Sequence, residues 1–247
     1  MDLDPALCRL VKDKIATFGR EQILEAVRLT ESFPPPGEEP ADVVSQVIHD
    51  VALHAESLGD WPLCAALYRR ALAYPVDGPR IAAGNWYRLG LCQERIGCLR
   101  EAMESYRRVL SLEQAWPYVA ALARAALAGL LTAAEEYEEA AELLARLRTE
   151  APHPEIPAGR TAVELAGCLV RLGRQAEARR TLEDLCAGEL TDAFAVEGAR
   201  LLAGIHEAAG ETAAAISCYE RIIGSGGAEL HLKQAAAARL ESLRRPG

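Results

Sequence analysis

The chain has 247 residues, half of them hydrophobic and only 5% aromatic, and carries a formal charge of −9. That acidic balance speaks against a nucleic-acid partner, whose phosphates call for a net basic domain. No apolar run approaches the roughly 18 residues of a membrane helix, so no membrane partner is expected. Met1-Asp2-Leu3-Asp4-Pro5 lacks the basic and apolar stretches of a signal peptide. Seven cysteines (Cys8, Cys64, Cys92, Cys98, Cys168, Cys186, Cys218) fall at no regular ligand spacing. With no export signal they read as reduced thiols in a cytoplasmic protein with no metal or other cofactor.

In chain order, residues 1–32 read as a degenerate helical hairpin, with Leu7, Val11, Ile15 and Phe18 on one helix and Ile23 and Val27 on the next. Residues 33–40, Phe33-Pro34-Pro35-Pro36-Gly37-Glu38-Glu39-Pro40, break helix and form a linker. From 41 to 223 a short turn recurs, centred on Gly59, Gly97, Glu135, Gly173 and Gly210, at steps of 38, 38, 38 and 37. Glycine suits the left-handed residue that ends one helix and lets the next begin; with Glu135 in that place, a tighter or more strained turn is expected. The flanks repeat in step. Eight and seven positions before each turn stand Val51-Ala52, Leu89-Gly90, Leu127-Ala128, Leu165-Ala166 and Leu202-Ala203. Five after it come Cys64, Ala102, Ala140, Ala178 and Ala215, and nine after it Tyr68, Tyr106, Leu144, Leu182 and Tyr219. Spacings of three and four place these on one helical face, with small residues where two antiparallel helices cross closely. Each unit is therefore a helix, a short turn and a second helix. Pro40, Pro79, Pro117 and Pro157 open first helices, where a missing N–H costs nothing, and Thr191-Asp192 caps the fifth. Residues 228–244 supply a final helix that covers the end of the array.

The pattern resembles the tetratricopeptide repeat (TPR) family. Its best match is Trp86-Tyr87-Arg88-Leu89-Gly90, then Gly97, Ala102, Tyr106 and Val109, and the resemblance covers about residues 45–223. The units depart from the family's repeat of about 34 residues by being about four longer. The resemblance implies an all-α, right-handed superhelical solenoid of antiparallel helix-turn-helix repeats, with first helices lining a concave face. It also implies a non-catalytic role: an adaptor or scaffold holding a peptide or helical segment of a partner protein. A self-associating module that forms homo-oligomers, and an accessory subunit of an enzyme complex, are the alternatives.

Carried onto this sequence, the concave stripe ten positions before each turn is His49, Tyr87, Ala125, Val163 and Arg200. Six before it stand Leu53, Leu91, Gly129, Gly167 and Gly204; three before it, Glu56, Glu94, Thr132, Val170 and Glu207. Glycine inside a helix costs about 0.8–1 kcal/mol against alanine, so Gly129, Gly167 and Gly204 floor a groove where a partner comes close, unless they only relieve crowding between repeats. His49, Leu53, Tyr87 and Leu91 with Glu56 and Glu94 make a mixed apolar and acidic lining. That combination suits an amphipathic segment of some basic character. The Lys/Asn clamp by which some family members hold C-terminal carboxylates is absent. Ser45, His49 and Asp50 share one helix rather than converging from separate elements, so no relay is expected. Cys92 and Cys98 flank one turn and form the only redox candidate, against ordinary buried thiols.

Overall fold

The computed structural model describes residues 19–33, 41–74, 79–113, 115–150 and 153–245. Leu7, Val11, Ile15, Phe18, most of the 33–40 linker and Cys8 lie outside them. Helix α1 (Arg20–Glu31) precedes five hairpins. Their first helices are α2 (Ala41–Ala55), α4 (Pro79–Ile96), α6 (Pro117–Ala133), α8 (Ala158–Arg171) and α10 (Ala193–Ala208). The second helices are α3 (Trp61–Ala73), α5 (Leu99–Ser111), α7 (Tyr137–Thr149), α9 (Gln175–Leu185) and α11 (Thr212–Gly224), and α12 (Leu230–Arg244) follows. The chain divides into two compact units, Met1–Leu127 and Ala128–Gly247.

The first helices are the longer ones, running 14 to 18 residues against 11 to 13 for the second. Pro79 and Pro117 are first helical residues, and Asp192 caps α10 by accepting the Ala195 N–H at 2.9 Å. Pro157 sits one place earlier than expected: it is the cap of α8, with an extended ψ of 130°.

All five turns share one backbone geometry. Their central residues have positive φ: 71° at Gly59, 88° at Gly97, 64° at Glu135, 73° at Gly173 and 74° at Gly210. Each donates its N–H to the carbonyl three residues back, at 3.0–3.2 Å. In the last four the following N–H also reaches the carbonyl five back, at 2.8–2.9 Å, which satisfies the carbonyls that a helix end leaves open. The Glu135 turn is thus not tighter than the others. An L-residue adopts the same left-handed conformation there, at a cost of about 1–2 kcal/mol.

Packing follows the register. Cys64, Ala102, Ala140, Ala178 and Ala215 are wholly buried, and so, or nearly so, are Tyr68, Tyr106, Leu144, Leu182 and Tyr219. Gly90 shows why the small position must be small: a Cβ there would lie 2.5 Å from Cε1 of Tyr106. In the first unit α1 packs on α2 through Ile23, Ala26 and Val27, joining one core with Val44, Ile48, Tyr68 and Leu89. In the second unit α8 packs on α7, α9 and α10, and α11 on α10 and α12. Helix α12 stands 38 residues beyond α10 in the repeat: Leu240 is buried as Leu202 is. Glu241, however, replaces the small residue that follows (Ala203 in α10) and leaves 78% of its side chain exposed. The expected terminal role of 228–244 thus rests on a helix whose hairpin-facing position is polar. Among the described residues no helix is long and apolar enough to cross a membrane.

Candidate functional site

The stripe read from the sequence divides into a polar part tied up in the fold and an apolar part open to solvent. In the first unit, His49 Nδ1 lies 2.6 Å from Asn85 Oδ1, and its ring meets Tyr68 edge-on at 5.8 Å. Asn85 Nδ2 faces Ser45 Oγ at 3.4 Å, and Ser45 in turn donates to the Ala71 carbonyl at 2.9 Å. His49 thus joins α2 to α4, and the Ser45 proton is committed to backbone. Leu53, Tyr87, Leu91 and Ala125 are half-buried, and Tyr87 lies against Tyr106 with 6.0 Å between ring centroids.

Glu56 and Glu94, expected as groove acids, serve the hairpins. Glu56 accepts from Tyr68 Oη at 2.7 Å and from Arg88 of the next hairpin at 3.1 Å. Glu94 accepts from Tyr106 Oη, and Glu207 from Tyr219 Oη at 2.6 Å and from Arg239 Nε at 2.9 Å. In each pair the carboxylate is three before the turn and the tyrosine nine after it. Burial first, and then the bond to a carboxylate, pushes the Tyr68 and Tyr106 phenols well above their usual range, and Tyr219 up to about 12. The Arg239 guanidinium beside Glu207 holds that carboxyl below the usual range.

Hairpins three and four lack these rungs. There the tyrosine position is Leu144 or Leu182, and the glutamate position is Thr132 or Val170. A cleft of about 560 Å³ opens in the second unit at this gap, between the C-terminal part of α6, α8 and α10. Gly129, Thr132, Val163, Gly167, Cys168, Val170 and Leu201 line it, with Tyr137, Glu164, Arg171 and Glu197 also on its wall. Thr132 Oγ1 is 2.8 Å from the Ala128 carbonyl and 3.4 Å from Cys168 Sγ, so the polar atoms of the floor are satisfied. A Cβ added at Gly129, Gly167 or Gly204 would meet nothing within 4 Å. Crowding between repeats does not explain these three glycines. Gly159 and Gly198 are of the opposite kind, for there a Cβ would lie within 3 Å of Phe194 or Leu185.

Of the second-unit stripe, then, Gly129, Thr132, Val163, Gly167 and Val170 meet in the cleft. Arg200 lies apart, held by Glu197 at 2.7 Å and lining a smaller cavity of about 180 Å³ beside α12; Gly204 lines neither. The sequence reading missed Tyr137 and Arg171, whose guanidinium carbon stands 5.1 Å from the Tyr137 ring centroid. The first unit carries the same clamp: Arg95 lies 5.1 Å from the ring of Trp61. Both pairs are 34 residues apart, two after one turn and two before the next, and that recurrence is the signal that could have found them. Cys92 meets Cys64 in the core rather than Cys98 across the turn. Their hydrogen bond, with burial, pushes the Cys92 thiol up, while the same bond lowers Cys64.

Repeated antiparallel hairpins, closed by left-handed turns and packed small against large, define the tetratricopeptide-repeat fold, and this chain has it. YrrB, a TPR protein with an unusual peptide-binding site, superposes with a TM-score of 0.64 at 16% identity, covering 87% of this chain and 97% of its own. A double mutant of MamA RS-1 gives 0.60 at 12% identity, with 77% and 95% covered. The C-terminal part of a TPR repeat-containing protein from Cytophaga hutchinsonii gives 0.59 at 10% identity, with 97% and 82% covered. No family model and no curated protein matches the sequence.

Proposed function

We propose that this protein is a non-catalytic adaptor that holds a segment of a partner protein, docked in the second-unit cleft over α8. The observation that carries the reading is the open glycine floor. Gly129 and Gly167 forgo about 0.8–1 kcal/mol each of helix propensity, and among the described residues nothing occupies the space they free. A feature that costs stability and relieves no crowding fits a surface kept clear for something else. The cleft has the composition of a binding site: an apolar floor with a few polar groups at its edge. YrrB, similar in fold, carries a peptide-binding site, in line with this reading.

The basic character expected of the partner loses its motive, because Glu56 and Glu207 already face arginines and all three stripe glutamates accept from tyrosines. An apolar segment is the better fit. Affinity capture from the native organism tests the proposal, with the wild-type chain set beside Val163→Glu and Gly167→Leu. A partner retained by the wild type and lost by both variants supports docking in the cleft. Equal retention by all three places the docking surface elsewhere.

A further inference from the structure

The charges around the cleft are unequally committed. Glu164 is 2.8 Å from Arg160, and Glu197 accepts both from Arg200 Nε at 2.7 Å and from its second nitrogen. Arg171, at the same cleft, lies over the Tyr137 ring with its guanidinium carbon 5.1 Å from the centroid, and among the described residues no carboxylate pairs with it. A guanidinium carries its N–H donors in a planar fork that matches a carboxylate. The cleft therefore joins an apolar floor to a cation that no described carboxylate neutralises. Building on the docking reading above, we infer that the partner is an apolar segment carrying one acidic side chain, which pairs with Arg171 while its neighbours cover Val163, Gly167 and Val170. This is the opposite polarity to the one the stripe glutamates suggested.

Two objections have physical answers. The chain is acidic overall, but at physiological salt charges beyond about 8 Å are largely screened, so the nearest groups decide. Arg171 also ends α8, where any cation is favoured by the helix dipole. That role gives no reason for the cleft to distinguish an acidic ligand from a neutral one, and the distinction is what the test reads.

The probe is a displayed library of random 12-residue peptides, blocked at both ends on resynthesis and selected on the full chain. Selected peptides are expected to combine aliphatic residues with one Asp or Glu. Replacing that acid by its amide, or the protein's Arg171 by Glu, should weaken binding at least about tenfold, the scale of a charge-assisted hydrogen bond. Arg171→Lys, which keeps the charge and loses the fork, should bind more weakly than the wild type and more tightly than Arg171→Glu, and Arg171→Glu should accept the peptide with Lys in place of the acid. Circular dichroism and thermal melting confirm that each variant is folded. Peptides with no acid, or acidic peptides that bind Arg171→Glu as tightly, overturn the inference. If such peptides are still lost with Val163→Glu and Gly167→Leu, docking in the cleft survives and only its charge preference is wrong. Peptides indifferent to all four substitutions, or no selected peptide, overturn both readings.

Discussion

Two kinds of helical glycine in this chain should respond to alanine with opposite signs. At Gly167 an added methyl meets open space, so the substitution restores helix propensity alone, a gain of about 0.8–1 kcal/mol. Gly129 and Gly204 are equivalent, and the triple replacement should gain roughly 2–3 kcal/mol if the sites are independent. Gly90→Ala has the same propensity gain, but its Cβ would sit 2.5, 2.8 and 2.9 Å from three carbons of the Tyr106 ring. Tyr106 is wholly buried and its hydroxyl is held by Glu94, so the ring has nowhere to turn. Overpacking of this kind costs typically 1–3 kcal/mol and sometimes more, so after the propensity gain the net loss is up to about 2 kcal/mol. Urea titrations followed by circular dichroism measure each value, with the slope watched for separate melting of the two units. Stabilisation by Gly90→Ala equal to that by Gly167→Ala would refute the close approach, and a loss at Gly167 would refute the open floor.

At the third turn, Glu135→Gly should stabilise the chain by about 1 kcal/mol or more, because the residue already holds φ of 64°; thermal melting checks it. The fifth hairpin should have pH limits on both sides. Glu207 is depressed when folded, so its contribution is present above the unfolded carboxylate range and lost as pH falls through the folded value. Tyr219 is raised to about 12, so its contribution holds below the unfolded value near 10 and is lost as pH climbs from there toward 12. Glu207→Gln should flatten the acid limb of the melting temperature against pH, and Tyr219→Phe the alkaline limb. Among the described cysteines only Cys98 is not buried. Timed alkylation read by peptide mass spectrometry should label it ahead of Cys64, Cys92, Cys168, Cys186 and Cys218.

The turns and the small-against-large register were legible because each rests on one residue's own geometry, repeated five times. Gly97 in a left-handed turn or Ala102 at a helix crossing needs no knowledge of the neighbouring repeat. The stripe was only half legible. Its positions follow from helical period, so Val163 and Gly167 could be placed on the open face. Whether a polar residue there is free depends on partners 12 or 32 positions away, as with Glu56, Tyr68 and Arg88. A carboxylate at a groove position looks the same in sequence whether it awaits a ligand or holds a hairpin together. Arg171 shows the converse: as the last residue of a helix it looks like a solvated end, yet it lies over the Tyr137 ring and on the wall of the cleft.

The cleft opens where the Glu–Tyr rung is missing, and the missing rung can be rebuilt. In hairpin four the two positions are Val170 and Leu182. Leu182→Tyr alone brings a hydroxyl into a fully buried position with no acceptor, at a cost of about 1–3 kcal/mol. Val170→Glu alone puts a carboxylate at the apolar floor with no tyrosine hydroxyl to donate to it. Together they recreate the pairing that hairpins one, two and five already hold, so the double variant should be more stable than the sum of the single ones, with a coupling of about 0.5–3 kcal/mol. The same double variant should bind the acidic, apolar peptides at least about tenfold more weakly, since it puts a negative charge into the cleft that the peptide's acid must share with Arg171. Additive stabilities would mean that the rung is not transferable between hairpins. Coupled stability with unchanged peptide binding would mean that the gap in the ladder and the docking surface are unrelated.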